Sequence, residues 1–126
     1  MTTTVLTADN FEDTLTTNDI VLVDFWASWC GPCRMFAPVF ERSAAKHPDI
    51  VYGKVDTGAE RSLAAAAGIQ SIPTLMAFRE GVLVFSQPGA LPAAELEQVI
   101  DAVRGLDMAE IHAQVAAQMS SAASPA

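Results

Sequence analysis

Cys30 and Cys33 are the two cysteines of the 126-residue chain, and two residues separate them. A disulfide between them would close almost no loop, so it would stabilise the fold little. Secreted domains held together by disulfides usually carry more cysteines, which pair across longer loops. The pair therefore indicates redox chemistry, in which a dithiol exchanges with the disulfide of another protein.

The two cysteines lie where a predicted strand meets a predicted helix. The apolar run from Ile20 to Trp26 is rich in β-branched and aromatic residues, which is typical of a strand buried on both faces. Helical spacing begins at residue 31 or 32 and continues to His47. A helix N-terminus carries unpaired N–H groups and a partial positive charge, so it stabilises a thiolate and lowers the thiol pKa.

The position of each cysteine predicts its part in the exchange. Cys30 precedes the helix, so we expect it to be exposed and to act as the nucleophile. Cys33 lies one turn further on, beneath Cys30, and is expected to be the resolving thiol. The Cys30 thiolate would attack a target disulfide and form a mixed disulfide. Cys33 would then attack that bond, release the reduced target and leave the two cysteines joined.

A zinc site is the alternative interpretation of a Cys-x-x-Cys motif, but zinc needs two further ligands. The two histidines of the chain, His47 and His112, fall on predicted helices without ligand spacing to each other. Each is expected to be a solvated surface residue, so we predict no metal. Haem attachment is excluded because Cys33 is followed by Arg34 rather than by histidine.

Asp24 is the one charged residue in the apolar run, and Lys54 is a lone charge in a second predicted strand, Ile50–Val55. A buried carboxyl group below the sulfurs would have a raised pKa, and it could accept the Cys33 proton directly or through water. Lys54, on the neighbouring parallel strand, could pair with Asp24 and tune its pKa. The alternatives are a bulge or edge position for Asp24 and a Lys54 side chain that reaches out past the strand end.

The other segments predict a mixed sheet with helices on both faces, which is an α/β fold. Alternating or continuous apolar runs mark the strands, and apolar spacing of three or four residues marks the helices. In chain order these segments are a strand Thr2–Leu6, a helix Thr7–Leu15, an Ala-rich helix that ends at Gly68, a hairpin of strands Thr74–Arg79 and Val82–Gln87, and a helix from Pro92 to Gly105.

Two helix starts carry recognisable capping residues. Thr7 or Asp9 is expected to cap the first helix. The run Thr57–Glu60 has the pattern of a capping box, in which Thr and Glu satisfy backbone N–H groups of the same turn.

The chain divides into a predicted domain, 1–106, and a C-terminal extension, 107–126. The extension is expected to form a short helix over about 107–119, capped by Asp107, and then a disordered tail of Ser, Ala and Pro. Its apolar residues either pack back onto the domain or bind a partner, which would make the chain a binding module. These residues are Met108, Ile111, Val115 and Met119.

The composition argues against several classes of function. The net charge is −8 and the sequence pI about 4.4, so the chain has no electrostatic reason to bind nucleic acid or an anionic membrane surface. No Lys or Arg precedes Arg34, which leaves a secretory signal without its charged start. No apolar run is long enough to cross a membrane. We expect a cytoplasmic protein.

The segment Trp26–Cys33, with the sequence WASWCGPC, is similar to the active-site signature of the thioredoxin family. The resemblance covers about residues 3–104. In the stretch Lys46–Leu75 and in the C-terminal tail the chain looks especially like thioredoxin paralogues of actinobacteria. It implies the thioredoxin fold, a central mixed β-sheet of about five strands flanked by helices on both faces. Outside the signature it rests on Asp24, Phe25, Pro38, Lys54, Gly68, Ile72, Pro73, Thr74, Gly81 and Gly89.

The resemblance also implies a role for each matching position. Cys30, Cys33 and Asp24 would be catalytic, with Lys54 as the partner of the buried acid. Pro73 would follow a cis peptide bond and face the cysteines. The residues implied to bind the target are Trp29, Gly31 and Pro32 around the sulfurs, Ile72 and Pro73 through an added strand, and Gly89 and Ala90 at the end of the groove.

The dipeptide Gly31-Pro32 resembles that of the reducing members of the family, which argues against an exported oxidant. The resemblance implies a protein-disulfide reductase that binds no cofactor. Its electrons would come from NADPH through a separate flavoprotein thioredoxin reductase. The partners would be that reductase and disulfide-containing proteins, and we expect a monomer. Gln70, Ser71 and Pro88 depart from the family pattern, which leaves the choice of targets open.

Overall fold

The computed structural model describes residues 2–123, which form one five-stranded sheet with helices on both faces. The α/β class and the sheet predicted from the sequence are confirmed. In chain order the elements are β1 (Thr3–Val5), α1 (Phe11–Thr17), β2 (Ile20–Trp26), α2 (Gly31–Lys46), β3 (Val51–Asp56), α3 (Arg61–Ala66), β4 (Thr74–Arg79), β5 (Val82–Pro88), α4 (Ala93–Arg104) and α5 (Met108–Ala123).

The strand order is β1-β3-β2-β4-β5, so β2 lies at the centre of the sheet. β3 runs parallel to both β1 and β2, whereas β4 runs antiparallel to β2 and to β5. The first six residues of β2 are buried, which explains why its sequence is almost continuously apolar. At Asp24 the strand pairs with Lys54 of β3 on one side and Leu75 of β4 on the other.

Alternate residues of β2 point into two separate cores. Leu22 belongs to the core on the α2 and α4 face, together with Phe40 of α2. Val23 and Phe25 belong to the core on the α1 and α3 face, where Phe11 of α1 packs against them. This alternation, a consequence of the strand's two-residue period, places Asp24 on the same face as α2, the helix that carries the cysteines.

The first helix begins later than the sequence predicted. α1 starts at Phe11, and the residues before it form a turn. The side chain of Asn10 accepts a hydrogen bond from the N–H of Thr7 at 2.7 Å and donates one to the carbonyl of Val5 at 3.1 Å. The segment expected to be the first helical turn is therefore held by Asn10 as a loop.

The predicted capping box at Thr57–Glu60 is wrong. The Thr57 hydroxyl donates to the carbonyl oxygen of Trp26, and the Glu60 carboxylate accepts a hydrogen bond from the N–H of Ala8. Both side chains thus bind backbone groups of distant segments instead of the start of α3, which has no side-chain cap.

The C-terminal helix α5 starts where the sequence predicted, since the Asp107 carboxylate accepts a hydrogen bond from the N–H of Glu110 at 3.2 Å. It continues to Ala123, so residues 120–123, expected to be disordered, are helical. The last three residues of the expected tail lie outside the described residues. Within residues 2–123, no helix is long and apolar enough to span a membrane.

The apolar stripe of α5 is divided between the domain and the solvent. Met108 is 7% exposed and Met119 is 68% exposed. The other two residues of the stripe, Ile111 and Val115, are half-buried. His112 bonds to Glu80 in the β4–β5 turn at 2.8 Å. The first half of the helix therefore packs on the domain. The division of the chain at residue 106 stays a prediction.

Candidate active site

Cys30 occupies the N-cap position of α2, directly after the turn that follows β2. Its sulfur accepts a hydrogen bond from the backbone N–H of Cys33 at 3.2 Å, and Pro32 stands in the first helical turn, where its missing N–H costs nothing. The two cysteines form a disulfide, with their Cα atoms 5.3 Å apart. The sulfur therefore accepts a hydrogen bond from one of the N–H groups that have no backbone partner at the start of a helix. This arrangement stabilises a thiolate.

The expectation that Cys30 is exposed is wrong for this disulfide form. Cys30 is 5% exposed and Cys33 is 3% exposed. Trp26 and Ile72 pack against the small cluster that contains the two cysteines. The sequence indicates which residues precede the helix, but it does not show that side chains from β2 and from the loop before β4 cover the sulfur.

The loop before β4 faces the cysteines. The Cys30 sulfur lies 3.7 Å from the carbonyl oxygen of Ile72, and the Ile72–Pro73 peptide bond is cis, as the resemblance implies. Behind it, the Gly89 N–H donates to the Pro73 carbonyl oxygen at 2.8 Å. Ala90 next to Gly89 is exposed. The half-buried Ile72, the buried Pro73 and the exposed Gly89–Ala90 turn thus lie on this side of the disulfide.

The turn on the other side of the sulfurs is open to solvent. Trp29 is 73% exposed, and Gly31 and Pro32 are also exposed. Arg34 steadies this turn by donating a hydrogen bond from its guanidinium to the carbonyl of Ser28 at 3.2 Å. The positions that the resemblance assigns to target binding therefore lie around a buried disulfide, and none of these positions carries a charged side chain.

Asp24 lies in the central strand with regular pairing on both sides, so the bulge and edge alternatives are wrong. The residue is completely buried, and neither carboxylate oxygen has a hydrogen-bond partner within residues 2–123. Burial raises the pKa of Asp24 from 3.8 to about 7, and the positive charge of Lys54 acts in the opposite direction. This carboxyl group can therefore gain and lose a proton near neutral pH.

The positive charge of Lys54 lowers the pKa of Asp24. Among the ion pairs within 4.0 Å that residues 2–123 form, however, there is none between Lys54 and Asp24. Its Nζ atom instead lies over the ring of Trp26, 5.3 Å from the ring centroid. Lys54 is half-buried, so its side chain does not simply reach out to solvent.

His47 is not the solvated residue that the sequence predicted. Its Nε2 atom bonds to Glu97 of α4 at 2.7 Å, and its Nδ1 atom bonds to the guanidinium of Arg104 at 3.0 Å. His112 is also paired, with Glu80. Each imidazole thus forms a hydrogen bond with a carboxylate.

The comparisons with known proteins agree with this geometry. The thioredoxin family profile matches residues 2–102. The chain belongs to the thioredoxin family. A Streptomyces coelicolor protein provisionally named thioredoxin 2 is 58% identical over 123 residues, which are 97% of this chain and 92% of that protein.

Solved structures of other thioredoxins have the same fold. A mutant thioredoxin from Halobacterium salinarum superposes with a TM-score of 0.76 at 34% identity, covering 82% of this chain and 91% of that one. Thioredoxin f from spinach chloroplast gives 0.76 at 31% identity, with 82% and 94% covered.

As a thioredoxin, the chain performs thiol–disulfide exchange through the Cys30–Cys33 pair and has disulfide oxidoreductase activity. Thioredoxins bind no cofactor, and thioredoxin reductase reduces them. The family therefore supplies two kinds of partner, the reductase and the disulfide-containing target.

Two residues near the site, Trp26 and Thr57, were given no role there by the sequence. Thr57 donates both its backbone N–H, at 2.8 Å, and its hydroxyl, at 3.0 Å, to the carbonyl oxygen of Trp26. Trp26 itself joins the sulfur cluster to Lys54. The signal for Trp26 was its place at the end of a buried strand directly before the motif, whereas nothing in the sequence marks the Thr57 contact.

Proposed function

We propose that this thioredoxin reduces protein disulfides, with Cys30 as the attacking thiolate and Cys33 as the resolving thiol. The observation that carries the assignment is the N-cap position of Cys30, whose sulfur accepts the Cys33 N–H. A thiolate at this sulfur is stabilised by that N–H and by the helix end. Cys33 lies inside the helix and below Cys30, so it is reached only after the mixed disulfide has formed.

The reaction transfers two electrons from the dithiol to the target. The Cys30 thiolate forms a bond to one target sulfur, and the other target sulfur leaves as a thiolate that takes up a proton. Cys33 then loses its proton to the carboxylate of Asp24, directly or through water. The Cys33 thiolate attacks the Cys30 sulfur, the bond to the target breaks, and the second target thiolate departs. The products are a reduced target and the Cys30–Cys33 disulfide.

The target is proposed to bind as an extended segment. The backbone of Ile72 would pair with it as a short added strand, beside Pro73 and the Gly89–Ala90 turn. Trp29 and the Gly31-Pro32 dipeptide would contact the target on the other side of the sulfurs. The support for this mode is that the Ile72 carbonyl lies 3.7 Å from the Cys30 sulfur, so a paired segment would hold its own disulfide within reach.

The cellular setting is part of the proposal. Electrons would come from NADPH through a flavoprotein thioredoxin reductase, and the protein would work in the cytoplasm, where cysteine pairs are kept reduced. A net charge of −8 opposes the association of copies, which favours a monomer.

Reduction of insulin tests the function. The protein with dithiothreitol should accelerate insulin precipitation over a blank, and purified thioredoxin reductase with NADPH should replace dithiothreitol. Cys30→Ser should abolish the acceleration, and Cys33→Ser should accumulate mixed disulfides with the target. Full activity of Cys30→Ser, or no acceleration by the unaltered protein, would contradict the proposal. Light scattering after size exclusion measures the oligomeric state separately.

A further inference from the structure

Trp26 lies between Lys54, the neighbour of Asp24 on the sheet, and the disulfide. It is the last residue of β2, and its side chain packs against the cluster formed by Ala27, Cys30 and Cys33. The same ring carries the ammonium group of Lys54, 5.3 Å from its centroid. An ammonium at this distance over an indole face is attracted by the negative face of the ring.

Lys54 adopts this position although a buried carboxyl group is its neighbour. Asp24 and Lys54 stand directly opposite each other on parallel strands, so their side chains lie on the same face of the sheet. The Asp24 oxygens nevertheless have no partner among residues 2–123. The ammonium is thus close enough to act on Asp24 through its charge but is held by the tryptophan ring.

The backbone that carries the ring is held in place. The Trp26 carbonyl oxygen accepts two hydrogen bonds from Thr57, one from the N–H and one from the hydroxyl. Trp26 also pairs with Asp56 across the β2–β3 register. The end of β2 is therefore anchored to the segment that follows β3, the strand that carries Lys54.

We propose that Trp26 is a positioning residue for the resolving step, because its ring keeps the Lys54 ammonium from closing on Asp24 as an ion pair. A buried carboxylate in direct contact with an ammonium is held ionised, which makes it a poor proton acceptor. With the ammonium on the ring, Asp24 keeps enough basicity to take the proton of Cys33. The inference rests on the proposed role of Asp24 and extends it.

The other ionisable groups on this face do not take the place of Lys54. On β3, Tyr52 and Asp56 flank it two residues away on the same face, and burial raises the pKa of Tyr52 to about 12, so that group keeps its proton. The two cysteines at the start of α2 do not titrate in the disulfide form. On β4 the residue opposite Asp24 is Leu75, which is uncharged.

The direct test is the titration of Asp24 in the disulfide form, followed by carboxyl ¹³C NMR. Trp26→Leu removes the ring, so the ammonium can move onto the carboxylate, and the pKa of Asp24 should fall. Trp26→Phe keeps an aromatic face with a weaker attraction for a cation, so its effect should have the same sign and be smaller. An unchanged or raised pKa in Trp26→Phe and Trp26→Leu would overturn the inference.

Water that enters the space left by the ring would also lower the pKa, and a second background separates the two causes. Lys54→Met keeps the length of the side chain and removes its charge. In this background, adding Trp26→Leu should leave the pKa of Asp24 close to its value in the single variant Lys54→Met. An equal fall of the pKa in both backgrounds would show that hydration, not the ammonium, responds to the ring, and would refute the inference. If Trp26→Leu does not fold, the same comparison is made with Trp26→Phe.

A kinetic readout links the titration to the reaction. In single-turnover reduction of a disulfide substrate, the acid limb of the pH–rate profile should move to lower pH in Trp26→Leu. The plateau above it should fall about two- to fivefold, a small part of the ~10²-fold or more that a positioned proton acceptor contributes. If Asp24→Asn resolves mixed disulfides at the full rate, the proposed role of Asp24 fails. If Asp24→Asn is slow but Trp26→Leu changes neither profile nor titration, the positioning role alone fails.

Discussion

The backbone N–H of Gly89 donates a hydrogen bond to the carbonyl oxygen of Pro73, with 2.8 Å between the two atoms. This bond fastens the turn after β5 to the loop that faces the cysteines, next to the Thr74–Pro88 pair of the β4–β5 ladder. Gly89 has a φ of +100°, a conformation that side-chain-bearing residues rarely adopt. A Cβ atom there would meet nothing within 4 Å, so the demand for glycine is conformational rather than steric.

Gly89→Ala should therefore destabilise the protein through its backbone. The expected loss is about 1–2 kcal/mol in the free energy of unfolding, measured with urea. Gly31→Ala is the matched control, because a Cβ there also meets nothing within 4 Å while the residue lies in a helix without positive φ. It should be neutral or stabilising by up to about 1 kcal/mol. Equal losses in the two variants would contradict the argument from φ.

Asp24 is expected to make stability depend on pH. Its pKa is raised from 3.8 to about 7 by burial, so between these values the folded state holds a proton that the unfolded state has released. The contribution of Asp24 to the free energy of unfolding should therefore be fully present below about pH 4 and be lost as the pH rises to about 7. The full effect of such a difference is about 4 kcal/mol, and hydration of the site reduces it.

Asp24→Asn should remove most of this dependence. At pH 8 the variant should be more stable than the unaltered protein by about 1–3 kcal/mol, since the gain from losing a buried charge is partly offset by an amide without partners. At pH 3.5 the two proteins should differ little, because the carboxyl group is then neutral. Urea unfolding at both pH values is the measurement. A variant that is equally stabilised at pH 3.5 would show that the charge is not the cause.

The fold and the centre of the site could be predicted because their signals are local. The strand Ile20–Trp26 has the observed bounds, since burial on both faces leaves a continuous apolar run. The hairpin of β4 and β5 follows from two such runs around a short turn, with one residue of difference at its end. Asp24 stands out because a charge in such a strand needs an explanation in the chemistry.

The incorrect predictions concern contacts between segments far apart in the chain. Thr57 and Glu60 have the spacing of a cap, but each finds a backbone partner on another element. Cys30 was expected to be exposed because it precedes a helix, and the side chains that cover it come from β2 and from the loop before β4. His47 is paired with Glu97 on α4, 50 positions away. Local pattern says nothing about such partners.

A buried hydroxyl joins α2, β3 and α4. Ser43 donates to the Glu97 carboxylate at 2.9 Å and lies 2.7 Å from the Tyr52 hydroxyl. Because the single Ser43 hydrogen goes to the carboxylate, the Tyr52 hydroxyl must be the donor in the second bond. Burial raises the pKa of Tyr52 to about 12, so that hydroxyl keeps the proton it donates.

Ser43→Ala should cost about 1–3 kcal/mol, because it leaves the buried Tyr52 hydroxyl without this acceptor. The double variant Ser43→Ala/Tyr52→Phe should cost less than the sum of the two single changes, since it removes both members of the bond. Chemical denaturation of the four proteins in the cycle measures the coupling. Additive losses would mean that the two hydroxyls do not depend on each other.

The two ends of α5 should respond differently to the same substitution. Met108 is 7% exposed at the start of the helix, and Met119 is 68% exposed further along it. Met108→Ala should lower the free energy of unfolding by about 2 kcal/mol, near the lower end for a buried Met at the edge of a core. Met119→Ala should change it by less than about 0.5 kcal/mol.

Insulin reduction should be unchanged in both methionine variants. α5 bonds to the β4–β5 turn through His112 and Glu80, and this turn lies beside Ile20, at the end of β2 opposite to Trp26 and the cysteines. The helix would then stabilise the domain without taking part in the exchange. A loss of activity in Met119→Ala without a loss of stability would instead assign the exposed half of α5 to target binding, because packing on the domain cannot produce that combination.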